Sequence, residues 1–316
     1  MKLRLVARWT LATLLLVIAL LWLADRIWPL PLPKDDLARV VLAEDGTPLW
    51  RFADANGVWR YPVQTSEVSP YYLDAVLTYE DRWFYQHPGV NPLALARATW
   101  QNLTGARVVS GGSTLSMQVA RLLDPHSRTF HGKLRQLWRT AQLEWHLSKE
   151  QILNLYLNRA PFGGTLQGVA AASWAYLGKS PAQLTHAEAA LLAVLPQAPS
   201  RLRPDRHPQR AQQARDKVLR RLAEFKVWPQ SAVDEALEEP LLLAPRLEPS
   251  LAPLLARRLN RPDSPPLIRT TVDATLQRRL EDLLLGWRAR LPEHTSAAIL
   301  VVEEESMAVR AYLGSV

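Results

Sequence analysis

The sequence has no cysteine among its 316 residues. A disulfide framework and a thiolate metal site are therefore excluded. The compartment stays open, because an exported chain can simply lack Cys. There is no His-Glu-x-x-His run, no clustered metal-ligand spacing and no Walker phosphate loop. Zinc hydrolases of that type and P-loop nucleotide enzymes are set aside. No internal repeat occurs. Lysine is scarce as well. Only seven of the 38 basic residues are Lys, so Arg carries most of the formal charge of +8 and the pI of about 9.9. Arg is the better fork for phosphate oxygens, although an Arg-rich composition alone produces the same balance.

What is present begins at the N-terminus. Lys2, Arg4 and Arg8 precede 16 uncharged residues, Trp9 to Ala24. As a helix at ~1.5 Å per residue, this run spans roughly 24 Å against a ~30 Å hydrocarbon core. Ile27 and Trp28 extend it, and Arg26 can snorkel to the headgroups. Trp9, Trp22 and Trp28 sit where an aromatic belt would. The basic end belongs in the cytoplasm and the rest of the chain outside it. No small-x-small cleavage site follows, so the segment reads as an uncleaved anchor. Nucleic acid is then a poor partner, because most basic residues lie outside the cytoplasm.

Trp28-Pro-Leu-Pro-Leu-Pro33 reads as a stiff spacer. Residues 39–63 are strand-like, with turns at Glu44-Asp45-Gly46 and Asn56-Gly57, and predict a small β pedestal. From Ser69 the period becomes helical, with Leu73, Val76, Leu77 and Glu80 on one face. Asn91-Pro92 predicts a helix start, and residues 105–113 a Gly/Ser loop. Helices follow over 114–123 and 131–147, the second with a stripe of Leu134, Leu137, Trp138, Ala141 and Trp145. Capping boxes at Ser148/Gln151 and Thr185/Glu188 open two more. Gly178 stops another after 167–177, and residues 209–225 and 230–238 close the helical region. Residues 240–266 are too proline-rich for a packed helix and predict a linker. Residues 267–273 are strand-like, 275–289 helical, and 296–302 with 308–313 form a hairpin. Two strands are marginal alone, so the chain is expected to break off at the start of a second domain.

Glu80 is the first candidate for chemistry. A carboxylate on an apolar helix face is costly to bury unless paired or functional; pairing with Arg82 or Arg97 is the alternative. Ser113 and Thr114 follow two glycines and open a helix. They serve either as its cap or, with the exposed N–H groups, as an anion cradle. Arg121 and Lys133 are cations suited to a pyrophosphate beside that turn, while Arg135 and Arg139 read better as a solvated basic face. His87, next to Pro88-Gly89, reads as a turn-locking residue.

These stretches share one resemblance. Glu80-Asp-Arg-Trp-Phe-Tyr-Gln-His-Pro-Gly89 resembles the first motif of the peptidoglycan glycosyltransferases found in class A penicillin-binding proteins. Gly112-Ser-Thr-Leu-Ser-Met-Gln118 is similar to the second motif. Lys133-Leu-Arg-Gln136 stands where the third, Arg-Lys-x-x-Glu, belongs. Leu155-Tyr-Leu-Asn158 with Phe162-Gly163 is similar to the fourth, and Arg215 with Val218-Leu219 to the fifth. The motifs come in family order over about residues 67–225.

The resemblance implies a mainly α fold: a lysozyme-like helical glycosyltransferase domain with an N-terminal transmembrane helix, a small β pedestal and a truncated C-terminal β segment. It implies a cytoplasmic tail at 1–8, a signal-anchor at 9–28, a spacer and β element at 29–66, and the glycosyltransferase domain at 67–239. A Pro-rich linker at 240–266 and the first strands of a transpeptidase domain at 267–316 follow. No Ser-x-x-Lys occurs and no Lys lies beyond Lys226, so no transpeptidase activity is expected of these residues. The implied reaction joins lipid II units into glycan strands with inversion at the anomeric carbon. Glu80 is the implied general base. Asp81, His87, Ser113, Thr114, Gln118, Arg121, Lys133, Gln136 and Asn158 are the implied substrate-binding residues.

No cofactor is required, Mg²⁺ is left open, and no metal ligands are assigned. Lipid II and the growing glycan strand, carried on undecaprenyl pyrophosphate, are the implied partners, together with the bacterial inner membrane. The catalytic part lies on the periplasmic side, and other cell-wall synthesis proteins are open as partners. Two departures stand out: Gln136 replaces the usual Glu, and Gly132 replaces the preceding Arg. The rivals are a lysozyme-like lytic glycosidase and a catalytically weakened protein that binds peptidoglycan or lipid II.

Overall fold

The computed structural model describes residues 2–32, 38–92, 113–127, 129–244, 251–288, 290–292 and 295–314. In chain order the elements are α1 (Lys2–Ile27), β1 (Val40–Leu42), β2 (Pro48–Arg51), β3 (Trp59–Arg60), α2 (Pro70–Glu80), α3 (Leu115–Leu123) and α4 (Phe130–His146). They continue as α5 (Lys149–Arg159), β4 (Pro161–Gly163), β5 (Leu166–Gln167), α6 (Val169–Ala172), α7 (His186–Val194), α8 (Pro208–Glu224) and α9 (Gln230–Glu238). The chain then forms α10 (Pro253–Leu259), β6 (Leu267–Arg269), α11 (Ala274–Arg288), β7 (Ile299–Val302) and β8 (Val309–Leu313). The fold is mainly helical, as expected. Two compact parts emerge: Met1–Lys34 with Trp83–Ile152, and Asp35–Arg82 with Leu153–Val316. The helix start expected at Asn91-Pro92 and the Gly/Ser loop before Ser113 run into residues 93–112, outside the described residues.

In the first part, Trp9–Ile27 of α1 is long and apolar enough to cross a membrane. Its 19 residues reach about 28 Å as a helix. Thr114 caps α3 by accepting from the Met117 N–H, and Thr129 caps α4 by accepting from Gly132. The apolar stripe of α4 is not its buried face. Leu134, Ala141 and Trp145 are exposed, and Leu137 and Trp138 only half-buried. The buried side is Gly132, Gln136, Thr140, Gln142 and Leu143. Helical spacing shows which residues share a face, not what lies against it. Here the polar face makes the hydrogen bonds, so it is the one that packs.

In the second part, α7 is the centre. Ala187 and every residue from Ala189 to Val194 are buried, against α2 and α8. Burying each Leu or Val stabilises by about 1.5–3 kcal/mol. The expected Thr185/Glu188 capping box is formed. On α2, Ser69 precedes Pro70 at the first helical position. The buried side is Tyr72, Ala75, Val76 and Thr78, rotated from the expected face, so Leu73, Leu77 and Glu80 are half-buried.

The expected β pedestal divides between two sheets. β1 pairs antiparallel with β2 and parallel with β6, giving the order β2-β1-β6. β3 joins β5 and β4 instead. Residues 240–266, expected as a linker without a packed helix, contain α10. Pro253 occupies a position where its missing N–H costs nothing, and Ala256 is buried with Val41, Leu49, Leu251 and Ile268. The hairpin β7-β8 is not unsupported either. Leu284 of α11 packs with Ala311 and Leu313, and Gln277 Oε1 accepts from the Tyr312 N–H at 2.8 Å.

Candidate active site

The candidate acid lies in the second compact part. Glu80 is the last residue of α2, half-buried, and its Oε1 accepts from Gln197 Nε2 at 3.0 Å. A neutral amide steadies a carboxylate without itself supplying a charge. The charge is felt inward: burial first, and then Glu80, push the phenols of Tyr72, Tyr79 and Tyr156 up. Asp81 is buried and ends the helix, its N–H donating to Leu77 O at 2.9 Å. Arg82 lays its guanidinium over the Phe225 ring, 4.4 Å from the centroid.

Asn158 tells a different story. Its Oδ1 accepts from Val63 N, and its Nδ2 donates to Val63 O and Asn154 O, each at 2.8 Å. The amide ties α5 to the chain approaching the short 3-10 helix at Thr65–Glu67 and is occupied by backbone. Arg215, from the fifth motif, is 1% exposed. It donates to Glu239 O at 2.6 Å and Leu237 O at 3.4 Å, and pairs with Asp216 at 2.9 Å. It closes the C-terminal carbonyls of α9.

The candidate cations lie in the first part. Ser113 is exposed ahead of α3, while Thr114 is buried. The Thr114 hydroxyl donates to Gly89 O and accepts from Met117 N, so it serves as a cap. Gln118 and Arg121 project half-buried from α3, as Lys133 does from α4. Burial first, and then the Arg121 charge, hold the Lys133 amine below its usual range. Like charges that repel one another are relieved by an anion between them. Among the described residues no ion pair neutralises either of them. Lys133 Nζ donates to Gln136 Oε1 at 3.1 Å, and Gln136 Nε2 donates to Met117 O at 2.7 Å. The second bond needs a donor, which an ionised Glu lacks. Gln136 thus joins α3 to α4 and leaves the Lys133 charge intact.

Gly132 is explained as well. A Cβ there would lie 2.1 Å from Ser127 O, so no other residue fits this backbone. His87 is buried, and its carbonyl accepts from Lys149 Nζ at 2.7 Å. Lys149 also pairs with Glu144 at 2.7 Å, and Ser116 donates to the same carboxylate. Gly89 has φ +84°, and a Cβ there would meet Glu144 Cγ at 2.7 Å. The His87–Gly89 turn is therefore clamped from α3, α4 and Lys149. Asp124 is taken by Arg135 at 2.6 Å and Arg139 at 2.8 Å. The hydrogen bond from Arg135 is the main cause that lowers its pKa. Arg135 and Arg139, expected on a solvated face, are the partners of this acid. The sequence pattern missed Gln197 and Lys149 and read Arg139 as solvated; their partners Glu80, the His87 carbonyl and Asp124 lie 117, 62 and 15 residues away.

A family model described as Transglycosylase matches residues 45–223. Penicillin-binding protein 1C of Escherichia coli K12 is 64% identical over 295 residues, covering 93% of this chain and 38% of that protein. Penicillin-binding protein 1A of Aquifex aeolicus is 37% identical over 183 residues, covering 58% of this chain and 25% of that protein. Among solved structures, penicillin-binding protein 1A from Haemophilus influenzae aligns at 21% identity with a TM-score of 0.40, over 87% of this chain and 33% of that one. The chain spans well under half the length of these relatives.

Proposed function

Since the chain belongs to the transglycosylase family, we propose that it is a peptidoglycan glycosyltransferase that polymerises lipid II at a membrane surface. Glu80 takes the proton from the 4-hydroxyl of the acceptor sugar. That oxygen attacks the anomeric carbon of the donor, and the lipid pyrophosphate leaves with inversion. A placed base contributes typically 10²–10⁴-fold. Arg121 and Lys133 stabilise the charge that develops on the departing pyrophosphate. Ser113 and Gln118 border the same group. Asp81, His87, Thr114 and Asn158 act through the backbone they hold, and Gln136 through Lys133.

The observation that carries this reading is the Arg121–Lys133 pair, which no carboxylate among the described residues neutralises. An uncharged glycan, the substrate of a lytic glycosidase, has no use for it. The α1 helix supports a single-pass membrane anchor. The basic residues Lys2, Arg4 and Arg8 support a cytoplasmic N-terminus and a catalytic part on the periplasmic side of the inner membrane. The reaction as proposed uses no resident metal, Mg²⁺ acting at most as a counterion of the pyrophosphate. Lipid II, the growing strand and other cell-wall synthesis proteins are the proposed partners. The test is a lipid II assay of the full chain in bilayers. Polymer is expected from the unaltered chain and at least a hundredfold slower turnover from Glu80→Gln. Release of soluble fragments from sacculi, or an unchanged rate in the variant, would overturn the reading.

A further inference from the structure

The outer end of α1 is not simply tethered. Asp25 lies in the last turn of a helix that is apolar through most of its length. A negative charge there opposes the helix dipole, and a charge near hydrocarbon is expensive. Its carboxylate is held: Gln142 Nε2 donates to Oδ1 at 2.8 Å, and His146 Nε2 lies 3.0 Å from both oxygens. The helix ends at Ile27, ahead of Pro29, and the Trp28 and Pro29 carbonyls lie just beyond it. Arg139 Nη1 donates to them at 3.0 and 2.9 Å, and to Gln142 Oε1 at 2.7 Å. Gln142 Nε2 also donates to Trp28 O at 2.8 Å. The other edge of Arg139 meets Asp124, the C-cap of α3, through Nε at 2.8 Å. Gln142 is 1% exposed, and the Arg139 side chain 13%.

We propose that Asp25, Gln142, Arg139 and Asp124 form a strut that fixes the anchor's outer end against the two helices bearing Arg121 and Lys133, and that Arg139 is its positioning residue. The strut sets the depth of the cation pair relative to the membrane exit. A donor whose pyrophosphate sits at a fixed height on its lipid is then met at that height. This rests on the function proposed above, and the test separates the two.

The chain has no cysteine, so spin labels can be placed through Ile27→Cys and Leu134→Cys in the full chain in lipid nanodiscs. The strut requires one narrow label-to-label distance in the parent. It requires a broadened distribution in Arg139→Ala and Asp25→Asn, with Arg139→Lys in between. With lipid II in the same nanodiscs, Arg139→Ala is expected to raise KM about tenfold while kcat stays within about twofold. Narrow distributions in every variant, or broadening with unchanged KM, would overturn the strut. If the parent consumes no lipid II, the catalytic reading fails, and the distance distributions alone decide the strut. Should Arg139→Ala not fold, Asp25→Asn and Gln142→Leu carry both measurements.

Discussion

Two helix ends in the same compact part hold a charge in opposite ways. At the end of α9, Arg215 is buried and spends its guanidinium on two carbonyls and Asp216. At the end of α2, Glu80 is half-exposed and takes a neutral amide from Gln197. A saturated charge builds architecture, because its remaining capacity for a ligand is small. A half-exposed charge held by a neutral amide is suited to chemistry. The same contrast separates Asn158 and Thr114, occupied by backbone, from Lys133 and Arg121.

The sharpest way to break the contrast is at its two ends. Glu80→Gln is expected to slow lipid II turnover by about 10²–10⁴-fold with little change in the melting curve. Arg215→Met should do the reverse. Carbonyls of Leu237 and Glu239 and the Asp216 carboxylate lose their partner, costing on the order of 3 kcal/mol, read by urea unfolding. If Arg215→Met abolished turnover in a chain of unchanged stability, the division would fail.

Smaller effects sharpen it. Gln136→Glu gives Lys133 a carboxylate and removes the donor to Met117 O. Inorganic pyrophosphate binding should weaken about tenfold, roughly 1.4 kcal/mol, measured by calorimetry at fixed salt. The smallest effect is on stability. A lysine whose folded pKa lies below its unfolded value, near 10.4, disfavours the fold while charged. The unfolded chain binds more protons through that window, so stability rises with pH. Lys133→Met should therefore be slightly more stable than the parent at neutral pH. That margin should vanish as the pH approaches about 10.4. A margin that persisted there would mean the amine is not strained by burial and Arg121.

Much of the site was legible locally. The Ser148/Gln151 and Thr185/Glu188 caps close within four residues, and both form. Glu80 on a helix end and the Ser-Thr start of α3 were equally readable. The α4 face was not, because its burial depends on Met117 and Asp25, which are distant in sequence. The β1–β6 pairing and the α10 helix were missed for the same reason: the partner of each lies far along the chain.

From hydropathy, residue types and the resemblance of the ordered motifs came the apolar N-terminal helix, the helical class, the family and the candidate acid and cations. Those are consequences of short-range chemistry: hydropathy, caps and residue types in order. Which polar groups pair with which was decided only in three dimensions. A hydrogen bond needs its two atoms within about 3 Å, and only the packed chain brings Gln197 to Glu80, Gln136 to Met117 and Arg139 to the carbonyls just past α1.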